Sequence, residues 1–347
     1  MRARDLGVVI GEYPTGPANA ITDVAGVRVG HTTLNADGPP AVHTGVTVVI
    51  PHDDIWTEPV FAGSHRLNGS GELTGLEWIR ESGELTAAIG LTNTHSVGVV
   101  RDELVAAQVR ARGEGLYWSL PVVGETYDGL LNDINGFHVR PEHVRSALEK
   151  ASPAPPAEGN VGGGTGMICH GLKGGIGTAS RVSGGYTVGV LVQANHGRRA
   201  RLSIGGVAVG KELDAIPLPG ADAPAGSIIV LVATDAPLLP HQCDRLAQRA
   251  ALGIARTGGA GENSSGDLIL AWSIGNSLSD AETQTVTMLA NDRIDGLFYA
   301  AIDATEEAIV NALLAAETMT GRGGFTVHAL DADALTAILA RHGALPA

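Results

Sequence analysis

A chain of 347 residues with 44% hydrophobic and 17% charged side chains can bury a large core, and no apolar run in it approaches the ~20 residues that a membrane-spanning helix needs. A net charge of −14, without clustered Lys and Arg, argues against a nucleic-acid surface, because phosphate binding depends on basic patches. The 48 glycines, about twice the usual share and spread without a collagen period, predict many tight turns. The first seven residues carry charge but lead into no hydrophobic segment of the secretory kind, so a cytoplasmic location is the default expectation. Cys169 and Cys243 lack metal-ligand spacing and are too few for a disulfide framework; they read as buried thiols.

In chain order, β-branched residues between turn residues predict strands at 24–30 and 45–50. Residues 72–81 and 97–112 have helical patterning, with a strand at 87–91 between them, and Pro141 opens a helix over 141–151. Residues 152–158, rich in Pro and Ala, read as a loop. The Gly-rich stretch 159–177 leads into a hairpin whose second strand is 186–194. Beyond it come a buried strand at 227–233, a helix at 238–255, a polar glycine loop at 258–264, an apolar strand at 267–272 and a helix starting near Ala304. No internal repeat or firm boundary divides the chain, so one α/β domain over 1–347 is the economical reading.

Several familiar chemistries fail on spacing. There is no His-Glu-x-x-His and no Gly-x-Ser-x-Gly. Gly166 to Gly171 has phosphate-loop spacing, but Leu172 and Lys173 follow where a Walker loop needs Lys first. The Gly162–Gly164 run with Thr165 and Gly166 misses the dinucleotide fingerprint. It reads either as a tight loop against a sheet or as the wall of an anion-binding nest.

The segment 257–272 offers a different mechanism. Its polar loop ends in Ser265, and the chain then passes into an apolar strand. Attack of that hydroxyl on the preceding carbonyl, followed by hydrolysis of the ester, leaves Ser265 as a free N-terminus. An α-amine with a pKa near ~7.7 to 8.0 then serves as the base for its own hydroxyl. Taken alone, Ser-Ser-Gly-Asp is also an ordinary turn. A near copy at Asn68-Gly-Ser-Gly-Glu72 leads into a helix, so the strand context favours Ser265.

The sequence resembles the L-aminopeptidase/D-esterase family and its β-aminopeptidase relatives. The matches run through Ile21-Thr-Asp-Val-Ala-Gly-Val-Arg-Val-Gly-His31, Gly124-Glu-Thr-Tyr-Asp-Gly129, Gly159-Asn-Val-Gly-Gly-Gly-Thr-Gly166, Lys173-Gly-Gly-Ile-Gly-Thr-Ala-Ser-Arg181, Val192-Gln-Ala-Asn195 and Ala304-Thr-Glu-Glu-Ala-Ile309. The resemblance implies a layered αββα sandwich like that of N-terminal-nucleophile hydrolases, with different strand connectivity. It also implies a self-processing serine aminopeptidase that needs no metal or organic cofactor. The expected cut between Ser264 and Ser265 gives chains 1–264 and 265–347, although Ser264 stands where the family pattern has Gly or Asn.

By the same resemblance Thr305 and Glu307 orient the nucleophile, Asn195 donates to the oxyanion, Tyr127 lines the site and Glu125 binds the substrate ammonium. Residue types alone also allow plainer roles: helix capping for Thr305 and Glu307, a turn for Asn195, core packing for Tyr127 and a solvated loop for Glu125. Expected substrates are small peptides, amides or esters, with a homo-oligomer as the assembly. Two rival readings keep the fold, an unprocessed metabolite-binding protein and an acyltransferase with an amine acceptor.

Overall fold

Two sheets lie at the centre of the computed structural model, which describes residues 1–220, 226–279 and 281–345. The chain first lays down β1 (Arg28–Ala36), β2 (Val42–Ile50), β3 (Val60–Gly69), α1 (Leu76–Ser82), β4 (Glu84–Leu85), β5 (Ile89–Asn93), α2 (Val97–Arg112), β6 (Val122–Thr126) and α3 (Pro141–Glu149). A two-residue ladder of β7 (Ile168–Cys169) and β8 (Leu172–Lys173) precedes the hairpin of β9 (Gly175–Ser183) and β10 (Tyr186–Ala194). Then come β11 (Ile228–Thr234), α4 (Pro240–Arg256), β12 (Gly266–Ser273), α5 (Asp295–Ala315), the small pair β13 (Met319–Thr320) and β14 (Thr326–Val327), and α6 (Ala332–Arg341).

One sheet has the order β1-β2-β5-β6 and the other β4-β3-β12-β11-β10-β9. In the larger sheet only β11 and β12 pair in parallel; the remaining neighbours are antiparallel. Helices α2 and α3 cover the smaller sheet, and α4 and α5 cover the larger. The result is the αββα sandwich that the family resemblance implies.

Strand periodicity explains why the larger sheet is buried on both faces. Along β12, Leu268, Leu270 and Trp272 join the core with Leu91 and Val48 of the facing sheet. Ile269 and Ala271 point the other way, into the core with α4 and α5. A strand buried on two faces reads as a continuous apolar run, and each fully buried Leu or Ile contributes roughly 1.5–3 kcal/mol. Gly177 brings α5 directly onto β9, since a Cβ there would sit 2.0 Å from the Ala308 carbonyl oxygen. Between β9 and β10 the turn is Gly184-Gly185, both at positive φ, as a two-residue hairpin with the favoured twist requires.

The structure departs from the sequence expectations in several places; the strand expected at 24–30, for one, runs over Arg28–Ala36. The helix expected from near Ala304 begins at Asp295, because residues 295–303 already supply the apolar face that packs on the sheet. The helix expected over 72–81 starts at Leu76, after Gly75 at φ +76°. β3 went unrecognised because His65, Arg66 and Asn68 break its apolar pattern, yet it pairs along almost all of β12.

Candidate active site

β11 and β12 run side by side in parallel, with Ile228 opposite Asp267. That register places two serines, Ser227 and Ser265, at the same edge of the sheet. Gly266 N–H donates to Ser227 Oγ at 2.9 Å, and Asn195 N–H, at the end of β10, donates to the Ser227 carbonyl at 3.0 Å. A cavity of about 500 Å³ opens at this edge. Gly226, Ser227, Ser264, Asn195, Tyr127 and Glu125 line it, together with apolar Leu130 and Ile168. A larger cavity of about 750 Å³ lies between the β1–β2 connection and residues 317–324. None of the residues expected in the site lines it, so size does not locate the chemistry here.

Ser265 is fully buried and does not line the cavity. Its Oγ lies within hydrogen-bond reach of the Gly226 carbonyl and of Asp267 Oδ1, the latter at 2.6 Å. Its own carbonyl accepts from Ser70 N–H at 3.3 Å and from the Asn68 side-chain amide. Ser265 and Asp267 are two apart at the start of a strand, so both side chains face the same way. A hydroxyl has one proton, so Ser265 can donate to only one of its two acceptors at a time. Both contacts are satisfied together when Asp267 is protonated and donates to Ser265, which in turn donates to Gly226. Burial pushes the Asp267 carboxyl up to about 6, against the Ser265 hydrogen bond and with reinforcement from the negative Glu262.

Gly226 is a steric necessity. A Cβ on it would come 1.9 Å from the Asn195 carbonyl oxygen and 2.4 Å from Asn195 Nδ2. The Asn195 side chain is held at both ends: Oδ1 accepts from Ile168 N–H at 2.6 Å, and Nδ2 donates to the Tyr127 carbonyl at 3.1 Å. The backbone donor fixes which end of the amide is the oxygen. Glu125, nearly buried at the end of β6, accepts from Glu72 N–H at 3.0 Å and from the Thr94 hydroxyl. Burial raises its pKa, with Thr94 and the Glu72 N–H opposing and the Glu72 carboxylate adding to the rise. Tyr127 presents a half-exposed ring at the cavity wall.

The structure does not bring Thr305 and Glu307 to this site. Thr305 sits mid-helix in α5, donates to the Ala301 carbonyl at 2.7 Å and packs against Gly253 of α4. Glu307 is fully buried among Arg181 at 2.5 Å, Arg4 at 3.1 Å and Asn19 at 2.5 Å. Neither lines the cavity. The physical reason is the early start of α5: the residues that the resemblance placed beside the nucleophile, and that residue types alone allowed as a helix cap, lie instead in the helix interior, where Glu307 braces the N-terminal segment.

Sequence reasoning had passed over Gly226, Ser227 and Asp267 as site residues. The signal was present: Gly226-Ser227 is a hydroxyl directly before the apolar run 228–233, the same context that singled out Ser265.

Over residues 19–327 the chain matches peptidase family S58. It is 48% identical to the β-peptidyl aminopeptidase BapA of Sphingosinicella microcystinivorans, across all of this chain and 93% of that protein. Identity is 44% to BapA of Sphingosinicella xenopeptidilytica, across 97% and 90%. Among solved structures, a Burkholderia sp. β-aminopeptidase superposes with a TM-score of 0.95 at 54% identity, each chain covered in full. The L-aminopeptidase D-Ala-esterase/amidase from Ochrobactrum anthropi, described as a prototype for the serine aminopeptidases and a new variant among the Ntn hydrolase fold, superposes at 0.94 with 45% identity over 99% of each chain. The chain belongs to peptidase family S58 and is a self-processing serine aminopeptidase.

Proposed function

We propose that the nucleophile is Ser227 and that the chain cuts itself between Gly226 and Ser227. Ser265 and Asp267 then form the hydroxyl–carboxyl pair that supports it. The observation that carries this reading is the contact of Ser265 Oγ with the carbonyl oxygen of Gly226, the residue whose peptide bond adjoins the cavity-lining Ser227. In self-cleavage Ser227 Oγ adds to the Gly226 carbonyl carbon, and negative charge develops on the oxygen that Ser265 faces. The C–N bond breaks, Gly226 becomes an ester on Ser227 Oγ, and the nitrogen takes up the proton given up by the Ser227 hydroxyl and leaves as the Ser227 α-amine. Water opens the ester and frees the Gly226 carboxylate.

In the processed enzyme that amine accepts the Ser227 hydroxyl proton, and Ser265 with Asp267 fixes the local hydrogen bonding. An incoming substrate acylates Ser227, and the Asn195 amide at the cavity wall stabilises the oxyanion. Glu125 receives the substrate's free ammonium; a blocked N-terminus leaves this buried carboxylate without a cation, which accounts for trimming from the end of a chain. Substrates in this reading are small peptides, amides and esters. A preference for N-terminal β-amino acyl groups is supported by the names and identities of the relatives. Assembly as a homo-oligomer belongs to the same reading.

Intact mass under denaturing conditions, with N-terminal sequencing, tests the cut. Fragments 1–226 and 227–347, the second beginning Ser-Ile-Ile-Val, are expected. A fragment beginning Ser-Gly-Asp-Leu would return the role to Ser265. Parallel rates on β-alanine and L-alanine anilides test the substrate class, and equal or reversed rates would remove the β-amino preference.

A further inference from the structure

Behind the Asn195 wall lies a group of side chains that the peptidase reading does not use. Cys169, His170 and His196 are all buried, and one donor atom from each lies within 4.8 Å of the others. Cys169 Sγ is 3.8 Å from His196 Nδ1, and the two imidazoles meet edge to face with centroids 5.0 Å apart. His170 Nδ1 lies 3.2 Å from the Arg198 carbonyl, to which it donates as N–H. Its Nε2 therefore carries a lone pair, and among the described residues that atom has no hydrogen-bond partner; His196 Nε2 is likewise buried and without one among them. Buried polar atoms are normally paired, so an unpartnered nitrogen on His170, beside His196 and Cys169, calls for an occupant.

We propose that Cys169, His170 and His196 bind a zinc-like divalent transition metal ion. The donor set is one thiolate and two imidazoles, the soft and borderline ligands that select such ions over magnesium or calcium. Tetrahedral zinc, with bonds of ~2.3 Å to sulfur and ~2.0–2.1 Å to nitrogen, spaces its donors roughly 3.3–3.6 Å apart. Through His196 Nδ1 the Cys169–His196 pair, at 3.8 Å, is already near that spacing, and donors up to 4.8 Å apart close by about an ångström. An imidazole that ligates through one nitrogen while the other donates to a backbone carbonyl has its tautomer set in advance, and the His170–Arg198 contact supplies this. Binding displaces the Cys169 thiol proton to solvent, leaving a sulfur–metal bond with no change of oxidation state.

The sequence conceals the group because Cys169 and His170 are adjacent while His196 comes from another strand. The fold joins them: Cys169 ends β7, His170 occupies the turn to β8 at φ +52°, and His196 follows β10. A metal here pins that turn to the end of β10. Ile168 and Asn195, the residues just before two of the ligands, are linked by the hydrogen bond that orients the Asn195 amide. The site is separate from the peptidase chemistry, and it stands whether or not Ser227 is the nucleophile.

The test uses full-length protein stripped with a chelator and then titrated with zinc or cobalt chloride. Zinc is expected at one ion per chain by elemental mass spectrometry, retained through gel filtration. Cobalt is expected to give a thiolate-to-metal charge-transfer band and the intense visible bands of a tetrahedral centre. Cys169→Ser abolishes the charge-transfer band, His170→Gln weakens zinc retention at least about tenfold, and Cys243→Ser, which alters the other buried thiol, changes neither. If Cys169→Ser fails to fold, the wild-type cobalt spectrum and His170→Gln decide. A wild-type spectrum without the thiolate band, or zinc content equal in wild type and His170→Gln, overturns the proposal.

Discussion

Two strand starts lie next to each other in this fold and look alike in sequence: Gly226-Ser227 before β11, and Ser264-Ser265 before β12. Each presents a hydroxyl at the start of a buried strand, directly before the apolar run in one and two residues ahead of it, across Gly266 and Asp267, in the other. Their surroundings differ. Ser227 lines the cavity behind a glycine that no larger residue could replace, whereas Ser265 is sealed beneath it between the Gly226 carbonyl and Asp267. A nucleophile must be reached by substrate, and a residue that shapes the charge on a carbonyl must touch that carbonyl. The local pattern marks a place where a strand begins; the packing of the neighbouring strand decides which of the two roles each serine takes.

The sharpest way to break the comparison is to remove each hydroxyl in turn. Ser227→Ala is expected to leave an uncut chain and to lower turnover by ~10³- to 10⁶-fold, since nothing replaces the nucleophile. Ser265→Ala is expected to slow self-cleavage while any cut that occurs still falls before residue 227. Time-resolved intact mass reads both. A Ser265→Ala chain that stays uncut beside a Ser227→Ala chain that is processed would exchange the two roles.

Asp267→Asn comes next, with an expected loss of ~10²- to 10⁴-fold in kcat/KM. Its pH behaviour is more telling than its size. The buried carboxyl, held up at about 6, is protonated below that value and ionised above it. In the uncut chain the protonated form lets Ser265 donate to the Gly226 carbonyl, so self-cleavage is expected to be faster below about pH 6. Turnover by the cut enzyme, in which the Ser227 amine must be neutral to accept the hydroxyl proton and the Gly226 carbonyl has become a carboxylate, uses the ionised Asp267 as acceptor for the Ser265 hydroxyl and is expected to rise with pH through the same region. Opposite slopes for the two rates in the wild type, both flattened in Asp267→Asn, are the result to look for. Parallel slopes would detach Asp267 from the carbonyl.

A smaller effect is expected on the substrate side. Glu125→Gln keeps the shape of the side chain and its two hydrogen-bonding neighbours but removes the charge that meets an ammonium. KM for free-amine substrates should rise ~10- to 100-fold, the range for a hydrogen bond to a charged group. Residual activity on N-acylated analogues should not fall. Equal losses on both substrates would make Glu125 a structural carboxyl.

How much of this could be read beforehand differs between fold and site. The apolar runs of β11 and β12, the Gly-Gly hairpin and α2 were legible because each depends on its own residues. Glu125, Tyr127 and Asn195 came from the family resemblance, and all three line one cavity. β3 was hidden because its polar residues conceal its place beside β12. The choice between Ser227 and Ser265 was hidden for a related reason: it depends on the register of two strands that are 38 residues apart, and no local pattern carries that information.

The least effect is expected at Thr305, which the family resemblance placed beside the nucleophile. Its hydroxyl donates to the Ala301 carbonyl one turn back in α5, a carbonyl that the helix backbone can already satisfy. Thr305→Val keeps the branched shape that packs on Gly253 and gives up that bond alone. A stability change of about 1 kcal/mol or less follows from the ordinary net worth of such a bond, with self-cleavage and kcat unchanged. Loss of processing in this conservative variant would mean that α5 reaches the catalytic edge in some state of the chain, and the division between cavity and helix layer would have to be redrawn.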